Sequence, residues 1–295
     1  MTSTTNQQQA QSGELLQFPR AHLQALTTVK VVIPCYNEAE RLDTTAFTAF
    51  LSDCRNVDFV FVNDGSSDAT LEVLQEIHAA FPDRVDILSL SRNSGKAEAV
   101  RQGLLHAAGS DAALVGYWDA DLATPLEAIE DFARVGARYG DVEVIYGARR
   151  KLLGHRVNRT IPRRAVSRIC AGMARLAVRL PIGDTQCGAK LIRNTPRLAR
   201  ALETPFSAGW LFDVELFTRL STHYRKNGAA FYEYPLAEWT EVAGSKVSGR
   251  AILRSGLSML RLIAESRLGL PHADVRGEGP ETRVIRIASA VAEAA

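Results

Sequence analysis

The chain has 295 residues, 46% of them hydrophobic and 23% charged, with a formal net charge of +2. That balance is ordinary for a soluble globular protein and suits one large α/β domain or two small ones. No charge-free stretch reaches the roughly 20 apolar residues of a bilayer span, and the cysteines (Cys35, Cys54, Cys170 and Cys187) form no C-x-x-C pair, which argues against a zinc ribbon and fits free thiols in a reducing compartment.

The chain opens on MTSTTNQQQAQSGELL, polar and without the apolar core of a secretory signal, so residues 1–27 read as a disordered lead-in. Val29-Lys-Val-Val-Ile33 is a β-branched run that stops at Pro34, a first strand, and a helical pattern follows from Glu38 to Cys54. Asp58-Phe-Val-Phe-Val62 is a second strand ending at Asn63-Asp64-Gly65. Asp68 stands as N-cap of a helix running to Ala80. A third strand spans Val85 to Leu90 and a helix Gly95 to Ala108. A fourth strand follows from Ala112 to Tyr117, then a helix from Pro125 to Tyr139 and a strand from Val142 to Tyr146. Strands alternating with helices of this length predict a mostly parallel sheet covered on both faces.

The polar residues cluster directly after strands. Pro34-Cys-Tyr-Asn-Glu38, Asn63-Asp64-Gly65-Ser66, Ser91 through Lys96, and Asp119-Ala-Asp121 all do so. In a parallel sheet these points share the carboxyl edge, where ligands bind. Asp119 and Asp121 lie at i, i+2 at a strand end, and two close carboxylates repel unless a cation lies between them. Mg²⁺ or Mn²⁺ commonly uses one or two carboxylates plus substrate phosphates; the plainer role for Asp121 is a cap for the following helix. Asp64 suits a hydrogen bond from a nucleobase N–H or a ribose hydroxyl, or a simple Asp-Gly turn. Asn93-Ser-Gly-Lys96 ahead of a helix resembles a phosphate cradle, although the P-loop spacing and a G-x-G-x-x-G after the first strand are both absent.

Between Arg149 and Arg179 stand ten Lys or Arg and no Asp or Glu. The second half is amphipathic, with Val166, Ile169, Cys170, Met173, Leu176, Ala177 and Leu180 at helical spacing. The run suits a phosphate-rich surface; without interleaved aromatics, nucleic acid is not an expected partner. Asp184 through Lys190 is a polar loop. On a helix beginning near Trp210, Asp213 and Glu215 point to different sides, so one reaches the crevice while the other is structural. Ser245 and Lys246, in a late polar loop, are placed to meet phosphates.

In order, Val32-Ile-Pro-Cys-Tyr-Asn-Glu38, Val62 through Asp68, Asn93 through Lys96, Trp118-Asp-Ala-Asp121, Tyr146-Gly-Ala-Arg149, Asp184-Thr-Gln-Cys-Gly188 and Gly244-Ser-Lys246 resemble the inverting family-two glycosyltransferases of GT-A fold. Among these they most resemble the dolichyl-phosphate β-glucosyltransferases. The resemblance implies a Rossmann-like, mostly parallel sheet flanked by helices over residues 28–248, with 249–295 a C-terminal amphipathic helix and tail. It implies a sugar nucleotide, UDP-glucose foremost, with Pro34, Tyr36, Glu38, Asp64, Gly65 and Lys96 on the nucleoside side. Asp119 and Asp121 would hold Mg²⁺ or Mn²⁺ and the diphosphate. Arg149 with Arg159 or Arg163 would clamp the phosphate of a polyprenyl acceptor, with Gln186, Ser245 and Lys246 nearby, and Asp213 is a candidate base if the acceptor is a hydroxyl. Ala123 stands where the mannose synthases of the family often have Gln, which weakens a GDP-mannose reading. An N-terminal membrane helix usual in eukaryotic glucosyl members is missing, so peripheral contact with an anionic membrane is expected, through the basic helix and Arg250–Leu270, on the cytoplasmic side. Another sugar nucleotide such as UDP-N-acetylglucosamine, a soluble acceptor, or a non-enzymatic phosphate- or RNA-binding module are the alternatives.

Overall fold

The structure, a computed structural model, describes residues 27–158, 171–221, 228–241, 256–258, 260–261, 263–264 and 282–285. The strands are β1 (Val29–Cys35), β2 (Val57–Asn63), β3 (Val85–Leu90), β4 (Leu114–Trp118), β5 (Val144–Ala148), β6 (Arg156–Asn158), β7 (Ala189–Arg193), β8 (Phe231–Pro235), β9 (Glu238–Thr240) and β10 (Thr282–Ile285). The helices are α1 (Thr44–Asp53), α2 (Thr70–Ala80), α3 (Lys96–Ala108), α4 (Ala128–Arg138), α5 (171–178), α6 (Pro196–Leu202) and α7 (Phe212–Ser221). Eight strands form the main sheet in the order β10-β3-β2-β1-β4-β7-β5-β8, and β6 pairs with β9 apart from it.

The strand sequences dictate this layering. Side chains alternate across a pleat, so a strand apolar at every position must be covered on both faces. In β2, Phe59 and Phe61 join one core with Phe47, Leu74 and Phe132. Val60 and Val62 join the other with Val100, Leu104 and Phe217. The first core thus lies under α1, α2 and α4, the second under α3 and α7. Phe47 meets Phe59 and Phe61 edge-on, with ring centroids 5.4 and 5.1 Å away, a favoured aromatic geometry.

Several expectations shift. The first helix begins at Thr44 instead of Glu38. Asp43 caps it by accepting from Ala46 N at 2.9 Å, and residues 38–41 are left as a turn after Asn37, whose φ is 51°. β7, which lay inside a segment read only as a polar loop and its apolar end, runs antiparallel between β4 and β5. A short apolar run carries no signal of strand direction. The stripe expected along α5 is kept at Ala177, which is buried, and at Met173 and Leu180, which pack against the second core, but Leu176 is half exposed while Ala171, Ala174 and Val178, outside the stripe, are buried. Small side chains let the helix lie close to the sheet, and that approach wins over the larger residue. The helix cap also moves by one residue, since Ala69 is N-cap of α2 and Asp68 bonds Thr70 N and the Ala39 N–H. Part of the basic run, residues 159–170, lies outside the described residues. β10, in the segment set apart as the tail, pairs antiparallel with β3.

At the opposite edge from the strand-end loops, Asp86 accepts from His106 Nε2 at 3.0 Å and Lys30 Nζ at 2.9 Å. The His106 hydrogen bond foremost, opposed by partial burial and reinforced by Lys30, holds the Asp86 carboxyl well below the usual carboxylate range. A depressed folded-state pKa gives stability that is present above the unfolded value of about 3.9 and is lost as pH falls toward the folded one. Asp86→Asn is therefore expected to lower the melting temperature at neutral pH by a few degrees, for a loss on the order of 1 kcal/mol. The gap between variant and parent narrows as the solution is acidified below about pH 4. Melts over a pH series check this; a gap that widens in acid sinks it.

Candidate active site

The carboxyl edge of β1, β2 and β4 opens into a cleft of about 560 Å³. Pro34, Tyr36 and Glu38 line it from the β1 loop, Asp64 from β2, Asn93 and Lys96 from the β3 loop, and Asp119 and Asp121 from β4. Arg149, Gln186 and Asp213 complete its far side. The four loops predicted to converge do so because four parallel strands end together. Gly65 stands beside the cleft and not in its lining. Its φ is +61°, and a Cβ there would strike the backbone of Arg92 and Asn93, so it lets the β2 and β3 loops touch. Arg159, Arg163, Ser245 and Lys246 fall outside the described residues.

Asp64 is buried and each of its oxygens has a backbone partner, Ser94 N at 2.7 Å and Gly95 N at 2.9 Å. It shapes the loop ahead of α3, and each oxygen keeps a second acceptor position for a ligand. Burial raises its pKa against those two bonds.

Asp119 is placed by the backbone, its N–H donating to Gly188 O at 2.9 Å. Its Oδ1 meets Lys96 Nζ at 2.5 Å. Asp121 does not cap α4. Its Oδ1 accepts from Ala123 N at 3.1 Å in a tight local turn, after Leu122 at φ 51°. Burial first, and then the Asp119 charge, raise the pKa of Asp121, while Lys96 and Arg41 oppose the rise. Two carboxylates that strain against each other, open to a cleft, suit a hard divalent cation whose remaining ligands are phosphates and water. Among the described residues no group of three or more His, Cys, Asp or Glu forms a closed metal cage.

Arg149 lies against Asp184, Nε to Oδ2 and Nη2 to Oδ1 at 2.7 Å each, and its guanidinium stacks 5.2 Å from the Trp239 ring centroid. One edge of the fork, Nε and Nη2, is used, and among the described residues Nη1 remains for an anion in the cleft. Of the two acids on α7, Asp213 faces the cleft. Glu215 is buried and accepts from Ser207 N, Ala208 N and Arg219 Nη2, a structural role.

Residues the sequence did not single out also shape the site. Trp239 and Trp210 form apolar walls. Below Asp213 lie Tyr117 and Lys190, the latter with no solvent exposure. Burial foremost and the Asp213 charge after it keep the Tyr117 phenol protonated, with a pKa well above the usual. Apolar β4 gives no sign that its tyrosine bonds an acid from a helix 96 positions away.

An acidic pair flanked by cations, at the carboxyl edge of a sheet that is parallel but for two strands, is the arrangement of a GT-A glycosyltransferase. The glucosyl-3-phosphoglycerate synthase of Mycobacterium tuberculosis, in complex with Mn²⁺, UDP-glucose and phosphoglyceric acid, superposes with a TM-score of 0.58, 18% identity, and 85% of this chain and 83% of that one covered. Residues 30–196 match the family described as Glycosyl transferase family 2. Proteins named dolichyl-phosphate beta-glucosyltransferase from Drosophila melanogaster and Saccharomyces cerevisiae are each 32% identical. They cover 78% and 75% of this chain, and 72% and 69% of their own lengths. A Trichomonas vaginalis protein, dolichyl-phosphate beta-glucosyltransferase ALG5C, is 28% identical over 87% of this chain and 77% of its own. The chain belongs to glycosyl transferase family 2 and is a glycosyltransferase.

Proposed function

We propose that the chain transfers glucose from UDP-glucose to a polyprenyl phosphate of the dolichyl type, with inversion at the anomeric carbon. The observation that carries this is the Asp119–Asp121 pair set between Lys96 and Arg149 in one cleft. The names of the relatives support the acceptor and the sugar, and the fold neighbour solved with Mn²⁺ and UDP-glucose is consistent with the donor. Asp119 and Asp121 would hold Mg²⁺ or Mn²⁺, which when bound neutralises charge on the leaving diphosphate.

The chain's own groups do the rest. Pro34, Tyr36 and Glu38 border the nucleoside, and Asp64 holds the Ser94–Gly95 loop against it. Lys96 sets a positive charge where the diphosphate lies, and Arg149, pinned by Asp184, directs its free edge at the acceptor phosphate. Such a phosphate is already ionised at neutral pH, so no strong general base is needed. The acceptor is met at a membrane surface on the cytoplasmic side. Leu153 is fully exposed beside Lys151 in the loop that follows Arg149, and Leu257 and Leu260 are exposed one helical turn apart. Apolar tips beside cations suit an anionic interface. Among the described residues no helix is long and apolar enough to cross a membrane.

The test is isothermal titration of the full chain with UDP-glucose, GDP-mannose and UDP-N-acetylglucosamine, each with and without Mn²⁺, followed by sugar transfer to polyprenyl phosphate in mixed vesicles. Selective, metal-dependent binding of UDP-glucose and a lipid-linked product support the proposal. Binding of another sugar nucleotide overturns the glucose assignment, and transfer only to soluble phosphates overturns the acceptor.

A further inference from the structure

Lys190, on β7, is entirely enclosed, a rare state for lysine unless it is paired. Its ammonium donates to Tyr117 Oη at 2.8 Å and to Cys187 O at 2.5 Å, and it forms an ion pair with Asp213 Oδ1 at 2.9 Å. The Tyr117 hydroxyl donates to that same Oδ1. Lys190 is thus saturated by the protein and touches no substrate. Asp213 is different. It lines the cleft, the Tyr117 hydroxyl and the Lys190 ammonium both meet Oδ1, and among the described residues Oδ2 accepts no hydrogen bond.

Packing alone does not call for this arrangement. The desolvation cost of burying an ammonium can exceed the Coulombic gain of pairing it, and apolar residues of similar volume commonly replace a buried pair without loss. A cation under the cleft floor does something an apolar residue cannot. It fixes one oxygen of the Asp213 carboxylate so that the other has a single direction. A carboxylate held at one oxygen by an ammonium and a phenol is an immobile acceptor of hydrogen bonds at the other.

We propose that Lys190 is a positioning residue which, with Tyr117, pins Asp213 so that its outer oxygen accepts a hydrogen bond from a hydroxyl of the transferred sugar. This rests on the transferase reading above.

The test compares Lys190→Met, Asp213→Asn and the double variant in the full chain. UDP and UDP-glucose binding are measured with Mn²⁺, and kcat and KM for transfer. UDP carries no sugar, so its affinity should stay at the parent value in all three. Each single variant should lose about 10- to 100-fold in kcat/KM with UDP-glucose, the scale of a hydrogen bond to a charged group. The double variant should be no slower than Asp213→Asn alone, because Lys190 acts through Asp213. Three results overturn the proposal: parental kcat/KM in Lys190→Met, losses that multiply in the double variant, or a double variant that regains activity. Should Lys190→Met not fold, the double variant decides, since it leaves no unpaired buried charge. Parental rates there refute the proposal, and rates at the Asp213→Asn level uphold it. A parent chain that binds no UDP-glucose refutes the transferase reading itself, an outcome distinct from all of these.

Discussion

Asp119→Ala is expected to leave a folded protein whose transferase turnover is lower by about a thousandfold. The side chain is about a third exposed at the end of β4 and joins neither apolar core, so its loss removes no packing. What it removes is the focus of the site's charge. Lys96 Nζ lies at 2.5 Å from Oδ1; desolvation against the cleft lowers the Lys96 pKa, and the Asp119 charge foremost outweighs it and raises that pKa. The same charge raises the pKa of Asp121. Without Asp119, Lys96 is released toward the remaining acids, and the pair that would hold a dication becomes a single carboxylate. Asp119→Asn keeps the shape and removes the charge, so it should fall as far as Asp119→Ala. Transfer rates beside thermal melts check the pair of variants. A folded Asp119→Ala that retains a tenth or more of parental turnover refutes the assignment, and an active Asp119→Asn would show that shape, not charge, is what matters.

The sequence made much of this visible because the informative residues interrupt strong periodic runs. Val29 to Ile33 and Asp58 to Val62 can only be covered strands, and the loops that follow them must then share an edge. That single topological rule places Tyr36, Asp64, Lys96 and Asp119 in one cleft, as the structure does. The parts that escaped notice depend on what is paired across long separations. β7 runs against its neighbours, and no local signal in Ala189–Arg193 fixes that direction. Its reversal is what brings Lys190 under Asp213 and Gly188 against Asp119. Lys190 itself reads as an ordinary charged residue at the end of a polar loop. Only its burial shows otherwise. The α5 stripe shifted in part for a related reason: periodicity favours the larger Leu176, whereas close packing on the second core selects Ala174 and Val178.

Gly188→Ala tests the same reversal from the other side of the cleft. The glycine precedes β7 and its carbonyl receives the Asp119 N–H at 2.9 Å. A Cβ on this residue would lie within the volume of the Asp119 carboxyl group. The backbone cannot easily withdraw, because β7 is hydrogen-bonded between β4 and β5. The carboxylate must therefore turn, and turning it breaks the contact with Lys96. Alanine otherwise suits the position, whose φ lies outside the left-handed range, so the melting temperature should move little. A displacement of about 1 Å at a reacting centre costs on the order of a hundredfold in rate, and that is the expected loss in kcat/KM. The control is the double variant with Asp119→Ala. Once the carboxylate is gone the added methyl has nothing to displace, so the double variant should be no slower than Asp119→Ala alone. Parental activity in Gly188→Ala, with the fold intact, would mean that the position of the Asp119 carboxylate does not govern the rate. Losses that multiply in the double variant would mean that the methyl acts through something other than Asp119, with the β4–β7 pairing the next place to look.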